Sequence, residues 1–469
     1  MLNSISGSAI IGGVFERDNR GRSLALDARY QDALDYIYSF VDYERQPRPR
    51  DPVHYDLRRM DELLGRLGNP HLKARTVHIT GSKGKGSTAA MIASALTVAG
   101  YKTGLYTSPH LHIFNERIRV DDKLISDQEV VTLVAKLKPE VAAVNEKDTY
   151  GQLTTFEVIT ALGFLFFELK KVDFQVVEVG LGGRLDATNV VKPEVCIITS
   201  ISLEHTDVLG NTLGEIATEK SGIIKPGCVT VISPQADEVN TVIEKACRDN
   251  GVKLIRGGSD VTWQALNYDA SRQSLRIKGK LDSYGLSLPL LGQYQLENAT
   301  TAVAALEVLA EKDPRITRDS IIAGLTQVSW PGRLQVLSHH PLVVVDGAHN
   351  PYSASKLREA LKHYFNFDRA ILIIGFSADK NITGIISELL PLFDRVIATH
   401  SIHPRAMPTA SVVDELKRQG IDARETEDIS IALSMALAMA GPKDLICVTG
   451  SLFIVAGAIE QAQVLGLTV

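Results

Sequence analysis

The 469-residue sequence is poor in cysteine. Its four cysteines, Cys196, Cys228, Cys247 and Cys447, show no C-x-x-C spacing. That argues against a disulfide framework or a cysteine metal site. Cys196 and Cys447 lie in apolar, strand-like runs and read as buried thiols of a reduced, cytoplasmic protein. Charge of one sign is also lacking: 50 Lys and Arg stand against 55 Asp and Glu, a net charge of −5. Bulk electrostatics therefore gives no support to a nucleic-acid-binding surface. No uninterrupted apolar run reaches membrane-spanning length, so no membrane partner is expected. The opening residues, MLNSISGSAIIGGVFERDNRGRS, have no basic stretch ahead of their apolar patch and are not read as a signal peptide. Residues 1–25 read as a poorly ordered extension. There is no internal repeat and no low-complexity tract. What remains is long enough for two or three domains with sizeable cores.

The chain is organised around residues 76–100, TVHITGSKGKGSTAAMIASALTVAG, which read as strand, glycine-rich turn and helix. Gly81, Gly84 and Gly86 remove Cβ atoms where the backbone must turn tightly and approach a ligand. Such a turn aims backbone N–H groups and the positive end of a helix at an anion. Lys85 adds a cation for a phosphate and Ser87 a hydroxyl for Mg²⁺. The spacing is not the common G-x-x-x-x-G-K-[ST]: two residues separate Gly81 from Gly84, and Gly86 stands between Lys85 and Ser87.

Around this loop the pattern alternates between strands and helices. Helical spacing covers 24–40 and 57–67, with a loop at 45–52. A strand at 102–107 runs into SPHLHIFNERI, which on spacing alone is either a polar loop or a crossing over a cleft. Ser126 and Glu129 form a capping-box pattern for the next helix. A helix at 154–169, TTFEVITALGFLFFEL, carries Glu157 in an apolar run; an acid there needs a partner or a metal unless it sits at an edge. FQVVEVG, 174–180, is a buried parallel-type strand, and GLGGRLDATN follows at the end where α/β sheets bind ligands. The strand at 195–201 leads into SLEHTDVLG, with His205 and Asp207 at the same sheet edge. A helix at 212–227 carries Lys220, on its own an ordinary helix-end lysine. Residues 253–290 read as short antiparallel strands. Helices follow at 295–311 and 318–325, then a hinge at Pro331 and Gly332. A second α/β unit runs through LVVVD, AILIIGF, RVIATH and DLICVTG. The expected class is α/β, divided into 26–332 and 336–469.

Eleven motifs occur in one order: ITGSKGKGST, SPHL, FNERI, TTFE, VGLGGRLDATN, EHTDVLG, EKSGI, GQYQLENA, WPGR, DGAHNP and GSLF. Together, over residues 26–460, they resemble the folylpolyglutamate synthase/dihydrofolate synthase family of the Mur ligase superfamily. The phosphate loop resembles that superfamily's G-T-N-G-K-[GT]-[ST], with Ser82 and Lys83 in place of Thr-Asn. The resemblance implies a Mur ligase-type phosphate-loop domain followed by a smaller Rossmann-like C-terminal domain. It implies an ATP-dependent ligase that adds L-glutamate to dihydropteroate, to reduced folates, or to both through an acyl phosphate, the bifunctional form being favoured. Its partners would be small molecules only, and the protein a monomer.

The resemblance also assigns residues. Gly81, Gly84, Lys85, Gly86, Ser87 and Thr88 would surround the phosphates. Ser87 and Glu157 would hold one Mg²⁺, and His205 would be a ligand of a second. Glu204 stands where the family usually has Asp and receives no role. Lys220 matches a lysine that many members carry as a carbamate, which offers a cation the oxygen ligands an ammonium lacks. Asn298 would contact adenine; Tyr294, nearby, stands where His is common. Arg333 would swing onto the γ-phosphate. Asp346 and His349 would approach the nucleotide and glutamate, and Ser451 would hold glutamate. Ser108, Pro109 and His110 would line the pterin side. Lys85, Lys220, Arg333 and His349 form the expected catalytic set. Two rivals compete. A peptidoglycan Mur ligase would usually carry a UDP-sugar domain ahead of the core, for which roughly 50 residues are too few. A non-enzymatic nucleotide switch would not need Glu157, His205 and Lys220 beside the loop.

Overall fold

Short runs of Val, Ile and Phe bounded by turns build two large, separate sheets. The computed structural model describes residues 24–44, 55–378 and 380–467. The expected extension, up to residue 23, and the loop expected at 45–52 lie outside them. The first sheet contains β1 (Arg75–Thr80), β2 (Thr103–Tyr106), β3 (Ile118–Val120), β4 (Lys123–Leu124), β5 (Phe174–Glu178), β6 (Val195–Ile198), β7 (Val229–Ile232) and β8 (Lys253–Arg256). Their order is β4-β3-β2-β5-β1-β6-β7-β8. All pairings are parallel except those of the short edge strands β3 and β4. β8 thus belongs to this parallel sheet, which corrects the antiparallel reading of 253–256. The run SPHLHIFNERI is a loop, a turn of 3₁₀ helix and then β3, so its end is strand.

Helices cover both faces. Lys85–Val98, Gln293–Ala310 and Arg318–Gln327 bury Ile92, Leu96, Val303, Leu306 and Ile321 on one side. Leu24–Tyr38, Leu57–Arg66, Asp127–Lys147 and Thr155–Lys170 bury Ile37, Leu63, Leu137 and Leu162 on the other. Ser126 and Glu129 close the anticipated capping box. A three-stranded antiparallel sheet, β9 (Thr262–Tyr268), β10 (Gln273–Lys278) and β11 (Ser283–Leu288), extends the first core.

The second sheet holds β12 (Gln335–His339), β13 (Leu342–Val345), β14 (Ala370–Ile374), β15 (Arg395–Ala398), β16 (Ala423–Glu425) and β17 (Leu445–Thr449), in the order β12-β13-β17-β14-β15-β16. Only β12 is antiparallel. Gly332 (φ +77°) and Leu334 (φ +40°) turn the chain between the two sheets. Asp346 pins that turn, accepting from Leu334 N–H at 2.8 Å and, from the first unit, Tyr294 O–H at 3.4 Å. On the far side, Tyr364 Oη donates to Gln273 Oε1 at 2.6 Å and Tyr268 Oη to the His363 carbonyl at 2.7 Å. These contacts fix how the C-terminal sheet faces the end of β1.

Candidate active site

β1 lies between β5 and β6, and the chain leaves it for β2 on the far side of β5. That is the switch point at which open α/β sheets leave a crevice. The phosphate loop fills it. A Cβ on Gly81 would fall 1.8 Å from Thr199 Oγ1, and one on Gly84 (φ +90°) 2.2 Å from Asn298 Oδ1, so the loop passes only without side chains there. Gly84 is the N-cap of the helix Lys85–Val98, whose first N–H groups face the crevice. Lys85 Nζ rests 3.0 Å from the Gly81 carbonyl. Ser87 Oγ accepts from Gln295 Nε2 at 3.3 Å, and Gln295 in turn accepts from Asn298 Nδ2 at 2.9 Å. Asn298 therefore braces the loop from below. The Thr88 hydroxyl is buried and makes no hydrogen bond among the described residues.

The loop forms one wall of an open cleft of about 1520 Å³. Gly81, Gly84, Lys85, Gly86, Ser87, Ser108, Pro109, His110, His205, Lys220, Arg333, His349 and Ser451 all line it. Most of the residues singled out in the sequence are thus brought together, although they come from both sheets. Thr88, Asn298 and Asp346 stand just behind this surface.

Three charged relationships dominate the cleft. Glu204 lies between Lys220 and Lys83, 3.3 Å from each ammonium. Burial pushes its carboxyl up, but Lys220, Lys83 and Lys85 outweigh this and hold it well below the usual carboxylate range. Lys220 is almost wholly buried and also donates to the Gly81 carbonyl at 2.8 Å. Burial lowers its amine to about 8 against the pull of Glu204. Glu178, at the C-terminal end of β5, is buried without an ion pair among the described residues. It accepts only a 3.3 Å bond from Ser108 N–H, and burial pushes its carboxyl up to about 7 despite Lys85 and Arg333.

Glu157 is not in this cleft. Its Oε1 accepts from Arg59 Nε at 2.7 Å, and its Oε2 accepts from the N–H and hydroxyl of Thr154, each at 2.8 Å. The apolar helix tolerates this acid because an arginine and a capping box satisfy it. Glu157, which the resemblance set beside Ser87 on Mg²⁺, is thus occupied by Arg59 and Thr154, whereas the acid that does line the cleft beside the phosphate loop is Glu178. The sequence signal for Glu178 was an acid ending a buried strand just before GLGG; embedded in FQVVEVG, it passed as strand.

Glu157 instead lines a second, more apolar cavity of about 980 Å³, with Tyr43, Tyr55, Phe156, Asp186 and Ala187. This cavity and the cleft share Glu44, Gly180, Leu181 and Gly182. Ser108, Pro109 and His110 belong to the cleft rather than to the aromatic cavity.

Residues 79–306 match the Mur ligase middle domain, and residues 332–452 match the Mur ligase glutamate ligase domain. The dihydrofolate synthase/folylpolyglutamate synthase of Bacillus subtilis is 36% identical over 439 residues, which cover 91% of this chain and 97% of that protein. The chain belongs to the folylpolyglutamate synthase/dihydrofolate synthase family. The folylpolyglutamate synthase of Lacticaseibacillus casei is 35% identical, over 92% of this chain and 98% of that one. Among solved structures, Mycobacterium tuberculosis folylpolyglutamate synthase complexed with ADP and AMPPCP superposes with a TM-score of 0.85. It is 31% identical and covers 93% of this chain and 99% of its own. As a member of this synthase family, the chain is an ATP-dependent Mur-type ligase of folate metabolism. No helix among the described residues is long and apolar enough to cross a membrane.

Proposed function

We propose that this synthase joins L-glutamate both to dihydropteroate and to reduced folates, through an acyl phosphate. The observation that carries the reading is the junction of the two cavities at Gly180–Gly182. A flat heteroaromatic ring with N–H donors suits Tyr43, Tyr55, Phe156 and Asp186. Its carboxylate tail would then emerge beside the phosphate loop. This moves the pterin from the SPHL loop to the aromatic cavity.

A carboxylate is a poor electrophile. One carboxylate oxygen attacks the γ-phosphorus of ATP, ADP leaves, and the acyl phosphate forms. The glutamate amine then adds to the carbonyl, and phosphate leaves as the amide bond closes. The protein's task is in-line positioning and charge neutralisation. Lys85 and the helix N-terminus suit the β- and γ-phosphates, and Arg333 reaches the same cleft from the hinge. The neutral ring of His349 suits steering of the incoming amine. The C-terminal wall closes the site against water that would hydrolyse the acyl phosphate.

Mg²⁺ suits Ser87 and Glu178. Glu178 is a buried carboxyl lacking a counter-ion, and a dication restores its charged form. Among the described residues no three His, Cys, Asp or Glu converge on one point. That agrees with a Mg²⁺ held by one carboxylate, a hydroxyl, water and substrate phosphates rather than by a protein cage. When bound it neutralises charge on the transferred phosphoryl group. His205 at the cleft suits a second ion. The lowered amine of Lys220 leaves more of it neutral, the form that takes up CO₂ to become a carbamate; mass spectrometry of rapidly quenched protein tests this.

The open cleft leaves room for a glutamyl tail, which supports both activities. We read 26–332 as the nucleotide and pterin unit and 336–469 as the glutamate unit of a cytoplasmic monomer. Its four buried, free cysteines fit a reducing compartment. The test is product formation by the pure protein from dihydropteroate, tetrahydrofolate and a UDP-sugar acceptor. Amide products are expected from the first two. Product from the UDP-sugar alone would overturn the reading.

A further inference from the structure

Lys83, Lys85, Arg117, Lys220, Arg333 and Arg405 are among the cations that line the cleft. Lys83 and Lys220 share Glu204, and Lys85 rests on the Gly81 carbonyl. Arg117 grips Glu44 with two bonds, and Arg333 donates to the Gly332 carbonyl. Arg405 is the exception. Its guanidinium makes no ion pair or hydrogen bond among the described residues, and its Nε is enclosed with no acceptor in reach. An enclosed donor without a partner is costly, and a guanidinium with a vacant fork is the group that best matches a planar carboxylate.

Arg405 is also held firmly. It sits in the segment after β15, and its carbonyl accepts from Ala378 N–H at 2.9 Å. A bridge between Ser377 and Ala406, and a 2.8 Å bond from Met407 N–H to the Phe376 carbonyl, tie the segment to the end of β14. The N–H of Arg405 donates to His403 Nδ1 at 3.2 Å, and the His403 ring stacks on Phe453 at 3.9 Å and 13°. Phe453 follows Ser451, the N-cap of the helix Leu452–Val464. Arg405 therefore belongs to the C-terminal wall, across the cleft from the phosphate loop, where the phosphates already have Lys85 and a helix N-terminus.

Resting on the ligase reading above, we propose that Arg405 binds a carboxylate of the incoming amino acid and so favours an amino-acid nucleophile over an amine that has no carboxylate. An amino acid held by its carboxylate on this wall presents its amine toward the loop on which the acyl phosphate is made. Arg405 sets which nucleophile is used and takes no part in phosphoryl transfer.

The experiment compares two nucleophiles on wild type, Arg405→Ala and Arg405→Lys. Glutamate gives the amide. Hydroxylamine has no carboxylate and gives a hydroxamate from the same acyl phosphate, with release of phosphate. Loss of one charge-assisted contact should lower the ratio of glutamyl product to hydroxamate on the order of thirtyfold in Arg405→Ala, seen as a raised KM for glutamate. Arg405→Lys should recover part of the ratio, since it restores charge without the fork. An unchanged ratio in an active variant overturns the proposal, as does a parallel loss of both products. Wild type that forms neither product would instead refute the ligase reading.

Discussion

Lys83, in the phosphate loop, donates to His349 Nε2 across the cleft at 3.2 Å, joining residues 266 apart in sequence. His349 Nδ1 lies 2.7 Å from the Gly347 carbonyl. That nitrogen must carry the proton, so Nε2 accepts from the ammonium and the ring is neutral. The Lys83 charge, with burial, holds the His349 imidazole well below its ordinary range. The lysine that stands where the superfamily loop has Asn thus sets the protonation state of a residue on the opposite wall.

Replacing Lys83 by Ala removes the main cause of that depression. The His349 pKa should rise toward the ordinary value of about 6.5, and the acid limb of the kcat/KM profile should move up with it. Profiles that coincide for the two proteins would show that neutral His349 is not required.

Glu157→Gln should act on stability. It leaves Arg59 without its charged partner at a site where both side chains are about 6% exposed. Breaking a buried pair of this kind costs roughly 3 to 5 kcal/mol. Urea unfolding should show that loss, with ATP affinity unchanged. Unaltered stability together with lost Mg²⁺-dependent nucleotide binding would return Glu157 to the metal.

Glu178→Gln should do the reverse. The folded carboxyl titrates near 7, because burial raises it from 4.5. Below the unfolded pKa both states are protonated and nothing is lost. Between the two values the unfolded chain gives up its proton while the folded one keeps it, so stability falls as pH rises, and the full cost applies above pH 7. The variant cannot ionise. Without ligands it should be more stable than wild type at pH 8, by up to roughly 3 kcal/mol, with the gap closing near pH 4.5. It should also lose most turnover. Equal melting temperatures at pH 8 would show that Glu178 is not a strained carboxylate.

Arg333 lies between the units and reaches the cleft from the hinge. A contact made mainly as phosphoryl transfer proceeds contributes to kcat rather than to ATP binding. Arg333→Ala should lower kcat about a hundredfold, the effect of losing one transition-state charge contact of about 3 kcal/mol. Rapid-quench turnover and ATP titration separate the two effects. A loss confined to ATP affinity would contradict the closing role.

What could be read in advance was local. The phosphate loop announced itself because strand, glycines, Lys85 and Ser87 are contiguous, and the Ser126–Glu129 cap because its pattern spans four residues. The same pattern at Thr154 and Glu157 shows half of what satisfies that acid; the other half, Arg59, is 98 residues away, and no local spacing reveals it. Glu178 was hidden because burial on both faces makes a parallel strand read as uniformly apolar, so the acid ending it looked incidental. The Lys83–His349 contact and the isolation of Arg405 depend on two sheets meeting across a hinge, and no spacing along the chain encodes that.

The proposed reaction passes through an acyl phosphate formed in the cleft. The measurement that tests it most directly uses dihydropteroate labelled with ¹⁸O in its carboxylate, incubated with the pure protein, ATP and glutamate. If the carboxylate attacks the γ-phosphorus, one labelled oxygen leaves with phosphate when the amide forms, and the released phosphate should carry a single ¹⁸O. Unlabelled phosphate alongside newly formed amide would contradict the mechanism.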